Sequence, residues 1–460
     1  MNSIKNISNS QKRNFPYLFI NFLGAFIIFL SLNSYSQNQK LSFQEADQNS
    51  YTLYAQQNWD SLISYCNYAL ENNHDYFNLR LRLGIAYYNK ANYYKATAHL
   101  LKANNFSKND PVTMEYLQLS YLYSNRILEA NSLAKKQKIL ESVNFETGPI
   151  FSDNIEKNKQ EDLIGSNQGE FYGEQDLNDQ KYYTQLGIKL SPVKKVSFYF
   201  GYNNLLIDKL KQIEYQYIPI GPQGILPERI EKEFKYKLHQ NGIYANMNVL
   251  FADNFILTPA IHYINVKYTT IYLTFPQNQF GLPKIVEQST NLDNLVLSLG
   301  LSKTISVFNM GIFSSYSDLN YKEQYQAGGS FSWFPKGNLD IYTTSKLVFA
   351  WEEEDNRTVF DQLIGYKAMS KLWLEASVTF GEILDYNENN AYVVYNSGDK
   401  INVRAIGNII VPLNDHFELS LRYHFVKFEG EWYKRSVGVT EAIKTEYNNH
   451  LIMGGLKWTL

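Results

Sequence analysis

At 460 residues the chain exceeds one ordinary domain, and 44% hydrophobic with 19% charged residues is the balance of a foldable sequence, which excludes a wholly disordered protein. A formal net charge of −2 gives no support to a nucleic-acid partner, and the single cysteine, Cys66, excludes an intrachain disulfide. With 37 Tyr and 28 Phe against 12 Pro, the composition favours sheet with many half-buried positions.

In chain order, Lys5, Lys12 and Arg13 precede an uncharged run from Phe15 to Leu32, followed by small Ser34 and Ser36. This is the order of a secretory signal over residues 1–36, with the cut expected after Ser36; the alternative is an uncleaved anchor. Asn21 and Gly24 interrupt the run and favour cleavage. No later apolar run has the length of a spanning helix, so a membrane crossing beyond residue 36 is expected to use strands.

Residues 37–140 read as helices, with Cys66 buried in SLISYCNYAL. The segment NLRLRLGIAYYNKANYYKATAHLLKANNFSKNDP carries Leu83-Gly84, Tyr87, Ala96, Leu100, Ala103 and Pro111. Shifted back by 34 positions, Tyr88 meets Tyr54, Asn92 meets Asn58 and Ala103 meets Ala69; shifted forward, Tyr87 meets Tyr121 and Ala96 meets Ala130. This resembles the tetratricopeptide repeat, with Arg80 where that family has Trp and Leu100 where it has Phe. The resemblance implies about three helical hairpins near 45–76, 77–110 and 111–140, packed through Gly84, Tyr87, Ala69, Ala96, Ala103 and Ala130. It implies a surface for a protein partner and no chemistry of its own.

From about 142 the hydrophobic period becomes two and persists to the end. In KVSFYFGY the apolar set is Val196, Phe198, Phe200 and Tyr202; in HFELSLRYHF, Phe417, Leu419, Leu421, Tyr423 and Phe425 oppose Glu418, Ser420, Arg422 and His424. Short turns, such as Pro335-Lys336-Gly337-Asn338 and Asn414-Asp415, alternate with longer polar segments at 152–180, 207–234, 269–292, 317–323, 351–357, 383–400 and 429–447. This predicts, over 141–460, an antiparallel transmembrane β-barrel of about fourteen strands with apolar residues toward lipid and charges toward a polar lumen. The fold class is therefore α+β in separate domains.

A turn centred on Asn414 sets Arg404 opposite His424 and Asn408 opposite Ser420, with Arg422, Glu418 and Glu375 on the same inward parity. These are the lumen candidates, either a mixed-charge constriction or paired charges of a plugged interior. Within the 207–234 segment, IPIGPQGILPERI has the turn formers of a loop able to fold inward, and Trp351-Glu352-Glu353-Glu354-Asp355 reads as a solvated surface loop. The final strand, with Leu456, Trp458 and Leu460 on one face, resembles the C-terminal signal read by the outer-membrane barrel assembly machinery. Neither hydrolase motifs nor metal-ligand spacings occur, so no enzyme, cofactor or metal is expected.

The whole arrangement resembles exported proteins that join periplasmic tetratricopeptide repeats to an outer-membrane barrel, among them exopolysaccharide export porins. The resemblance implies a Gram-negative outer membrane with its lipid and lipopolysaccharide, residues 37–140 in the periplasm, and a periplasmic protein partner. Two functions fit: a channel or export porin for polysaccharide or small polar solutes, or a non-conducting anchor whose repeats recruit envelope machinery.

Overall fold

The computed structural model describes residues 41–135, 138–165, 170–217, 228–251, 254–274, 283–353 and 355–460; the expected signal at 1–36 and most of IPIGPQGILPERI lie outside them. Six helices come first: α1 (Phe43–Ala55), α2 (Trp59–Glu71), α3 (Phe77–Asn89), α4 (Tyr93–Phe106), α5 (Pro111–Tyr123) and α6 (Ile127–Leu133). The odd helices start at 43, 77 and 111 and the even ones at 59, 93 and 127, a spacing of 34 residues throughout. The turns repeat too: Gln57, Ala91 and Asn125 each take a left-handed φ, of 54°, 54° and 57°. Asn58 and Asn92 then cap α2 and α4 by accepting from Ser61 N and Lys95 N. Small residues let the helices close up, since a Cβ on Gly84 would lie 2.6 Å from Leu100. Ala69, Ala96, Ala103 and Ala130 are buried in the same packing, with Tyr87 beside them.

Fourteen strands close into one antiparallel barrel. They are β1 (Leu140–Ser152), β2 (Glu170–Val193), β3 (Val196–Tyr217), β4 (Glu228–Phe251), β5 (Phe255–Thr274), β6 (Lys284–Ile305), β7 (Phe308–Leu319), β8 (Lys322–Trp333), β9 (Ile341–Glu352), β10 (Asp355–Met369), β11 (Leu372–Ile383), β14 (Lys400–Pro412), β15 (Phe417–Ser436) and β16 (Val439–Thr459). A separate hairpin, β12 (Tyr386–Glu388) and β13 (Val393–Tyr395), lies between β11 and β14 in sequence. The seam joins β1 to β16, with Val143 opposite Trp458 and Phe145 opposite Leu456. Outward positions are apolar and exposed, among them Phe200, Ile243, Ile312, Phe349, Leu421 and Ile452, which a soluble core would bury.

Of the expected loops, 207–234, 269–292 and 429–447 are largely strand. β2 and β4 run 24 residues each, roughly 80 Å, whereas a tilted crossing needs about 9–11 residues. Once a strand leaves the apolar band both of its faces can be polar, so alternation fades while the ladder continues. β7, β8, β9 and β11 stop at 12 residues, so one side of the rim is a high wall and the other is low. Above the end of β1 the wall closes again, because β15 pairs with β2 at Tyr433–Glu174 and Arg435–Tyr172. A short helix, α7 (Asn154–Asn158), packs there against β2 and β16.

The helical domain sits on the other, short-turn end. Tyr94 N donates to Gly337 O (3.1 Å), Asn338 Nδ2 donates to Ala91 O (3.0 Å), and Tyr94 stacks on Phe334 with ring centroids 4.4 Å apart. The α3–α4 turn is thus seated on the β8–β9 turn.

Candidate functional site

The segment expected to form an outer loop at 383–400 folds instead into the barrel. Its hairpin touches β3 through Tyr392 Oη to Tyr199 Oη (2.8 Å), and β4 through Tyr244 Oη, which donates to Asn390 O (3.0 Å). It also meets β5 through His262 Nδ1 and Ala391 O (2.7 Å), β7 through Asn387 Nδ2 to Ser315 Oγ (2.9 Å), and β9 through Lys346 Nζ to Asn389 Oδ1 (2.7 Å). Contacts with strands spread around the ring are available only from inside. Gly300 makes the fit: a Cβ there would lie 2.7 Å from Asn390 Oδ1.

Arg404 fixes the hairpin from the opposite wall. Its guanidinium donates to both carboxylate oxygens of Glu388 (3.0 and 2.7 Å), to Thr379 Oγ1 (3.2 and 2.7 Å) and to Tyr395 Oη, with Asp361 at 3.6 Å. One arginine on β14 therefore grips β12 and β13 together. The residue is 2% exposed.

The other predicted lumen residues also face inward, in different company. β14 and β15 pair Arg404 with Val426, Ile406 with His424 and Asn408 with Arg422, a register two residues from the expected one. The turn spans Leu413 to His416, with Leu413 N donating to Phe417 O, so its centre lies one residue beyond Asn414. Arg422 approaches Glu146 of β1 at 3.4 Å, and Glu418 faces Lys457 at 4.0 Å. Glu375 accepts from Tyr342 Oη and from Asn408 Nδ2 (2.9 Å). His424 Nε2 is buried and makes no hydrogen bond to the described residues. In the acidic run, Glu352 ends β9 buried between Arg357 and Lys322, a wall ion pair and not a solvated charge.

Two chambers result. The larger, about 1070 Å³, opens toward the high wall and includes Asp176, Lys181, Tyr183, His262, Tyr395 and Asp399. The smaller, about 460 Å³, lies toward the short turns and includes Asn144, Lys189, Tyr244, Asn389, Asn408 and Glu418. Glu146, Tyr392 and Arg422 line both. These three side chains stand at the boundary between the chambers.

Sequence reasoning found Arg422 and missed Glu146 and Tyr392. The inward parity of Tyr199, Tyr244 and His262 was readable, and Gly300 inside a strand signals close backbone approach, but neither names the segment that approaches. Among the described residues, no group of three or more His, Cys, Asp or Glu is placed to hold a metal ion.

The architecture is that of an outer-membrane barrel with an N-terminal helical domain. No family model matches the sequence, and no curated protein does. Among solved structures, the outer membrane protein Omp33 of Acinetobacter baumannii is 8% identical, with 70% of this chain and 100% of that one covered at a TM-score of 0.34. A deltaS2S3 mutant of TodX, a monoaromatic hydrocarbon channel, is 9% identical, with coverage of 72% and 92% and a TM-score of 0.41. A bacterial polysaccharide outer membrane secretin is 8% identical, with coverage of 70% and 100% and a TM-score of 0.31. Likenesses this distant lend the chain neither substrate nor mechanism.

Proposed function

We propose that this chain is an outer-membrane channel for small polar solutes, with its tetratricopeptide-like repeats in the periplasm docking a protein partner. The observation that supports the reading is a pair of chambers inside the barrel that share Glu146, Tyr392 and Arg422 in their walls and carry charged side chains on either side of them, an arrangement that a barrel serving only as an anchor does not need. Bacterial barrels keep their short turns in the periplasm, and the helical domain sits at that end, so the repeats fall on the side where envelope machinery is available. Leu456, Trp458 and Leu460 then present the last strand to the barrel assembly machinery, while the outward apolar face meets lipid and lipopolysaccharide. We assign the chain no enzymatic step. Export of a polysaccharide, the role of the porins it resembles, would need the hairpin to leave the lumen.

The test is conductance of the refolded full chain in a planar bilayer. Channel events are expected, with a several-fold rise in mean conductance when residues 386–395 are replaced by a Gly-Ser linker, and with ion selectivity altered by Glu146→Gln or Arg422→Gln. A folded, heat-modifiable barrel that stays silent even with the linker would assign the chain to the anchor role instead.

A further inference from the structure

The hairpin is held unequally at its two ends, and this deepens the channel reading on which it rests. At the base, Arg404 makes charge-assisted bonds to Glu388 and reaches Tyr395, while Asn320 Nδ2 donates to Asp385 Oδ1 (2.7 Å) and to Asn396 O (3.2 Å), tying both legs together. Asp399 accepts from Tyr447 Oη (2.6 Å) and Asn178 Nδ2 (3.3 Å), which fixes the exit into β14. The tip is different. Asn390, Ala391 and Tyr392 dock through single uncharged hydrogen bonds to Tyr244, His262 and Tyr199, with Tyr392 edge-on to Tyr199 and Tyr244 and Ala391 in the same apolar cluster, and Lys346 adds one charge-assisted contact to Asn389. A buried bidentate pair is much harder to break than any of these.

The tip is also strained. Asn389, Asn390 and Ala391 take φ of 52°, 56° and 66° in succession. Asparagine tolerates this region, whereas alanine adopts it at a cost, and Ala391 is fully buried in it. Docking therefore maintains a conformation that the free segment would leave. Because Tyr392 lines both chambers, undocking the tip would move a wall of the constriction.

We infer that the hairpin is a hinged gate, pivoting on its Arg404-held base, and that residues 389–392 form a latch that must leave Tyr199, Tyr244 and His262 for the channel to pass solute. The wall glycine supplies the test. The Cβ of a residue at 300 would lie 3.3 Å from Asn390 Cγ, which brings cysteines at the two positions within disulfide reach. The native Cys66 does not interfere, being buried in the helical domain with its thiol pushed up to about 12 by that burial.

The experiment is conductance of the full-length Gly300→Cys/Asn390→Cys protein, reduced and oxidised, beside Tyr392→Phe in the natural background. We expect oxidation to silence the channel and dithiothreitol to restore it. Tyr392→Phe should raise the open-to-closed ratio about fivefold, the weight of one lost uncharged hydrogen bond. Equal conductance of the locked and reduced proteins would overturn the gate while leaving the channel reading intact. Silence of every protein, including the linker replacement of 386–395, would overturn both.

Discussion

Arg404 shows how far one position can be read from sequence. Its place among Val403, Ala405 and Ile409 put it on the inward face, which is where it lies. What it does there depends on Glu388 and Tyr395, which belong to a segment with no hydrophobic period to announce that it turns inward. Removing the guanidinium would leave the Glu388 carboxylate, whose side chain is only 14% exposed, without its partner, at a cost of up to about 3–5 kcal/mol. Arg404→Met should therefore lower the denaturant midpoint of the barrel, and adding Glu388→Gln should recover much of the loss. A change below about 1 kcal/mol would show that the pair does not hold the hairpin. Arg422→Gln should behave differently: its contact to Glu146 is long and its side chain is 32% exposed, so it should alter selectivity with about 1 kcal/mol or less of stability.

Among the elements, the helices were the most legible, because a 34-residue spacing repeats small residues, caps and turns at once. The departure at Arg80 is explained by its surroundings. In place of an aromatic ring it offers a guanidinium that donates to both oxygens of Asp75 (2.6 Å each) and to His99 Nδ1 (2.9 Å). The hydrogen bond from Arg80 holds the Asp75 carboxyl below its usual range, whereas burial, with Arg80 beside it, pushes His99 down to about 4 from its ordinary 6.5. Both shifts have the same consequence. The stability from Asp75 is present above its unfolded pKa and is lost as pH falls through the folded one. His99 stays neutral in the fold while the unfolded chain takes up a proton between 6.5 and about 4, so the native state loses ground over that window. The helical transition of the full chain, followed by ellipticity at 222 nm, should weaken from pH 7 to pH 4 by up to about 3 kcal/mol. His99→Phe should flatten most of that slope. A slope unchanged in the variant would place the pH dependence elsewhere. The strands were legible only where one face meets lipid, which is why β2 to β6 were cut short by the same rule that counted them correctly.

At the scale of the molecule, the helical domain meets the barrel at the β8–β9 turn and through Asn131 Nδ2, which donates to Glu141 of β1, and the turn has a built-in point of failure. Gly337 has φ +67°, and a Cβ on it would lie 1.8 Å from Asn92 Oδ1. Asn92 cannot simply move aside, because the same oxygen caps α4 by accepting from Lys95 N (3.1 Å). Gly337→Ala thus adds about 1–2 kcal/mol of backbone strain to a clash, enough to shift the docked-to-undocked ratio by tenfold or so. Neither the barrel wall nor the repeat core should suffer. The turn stays anchored to the barrel by Lys367 N, which donates to Asp340 O (2.8 Å), and by Trp373 Nε1 to Leu339 O (3.2 Å). The expected result is faster tryptic cleavage at Lys135 and Lys138, between the last helix and β1, with ellipticity and heat-modifiability unchanged. The contact chain also runs inward, from Tyr94 to Phe334, from Phe334 to Tyr342, and from Tyr342 to Glu375 and Asn408 at the smaller chamber. If that chain couples the domains, Gly337→Ala should change conductance as well as cleavage. Faster cleavage with unaltered conductance would confine the repeats to recruiting a partner and leave the lumen to its own hairpin.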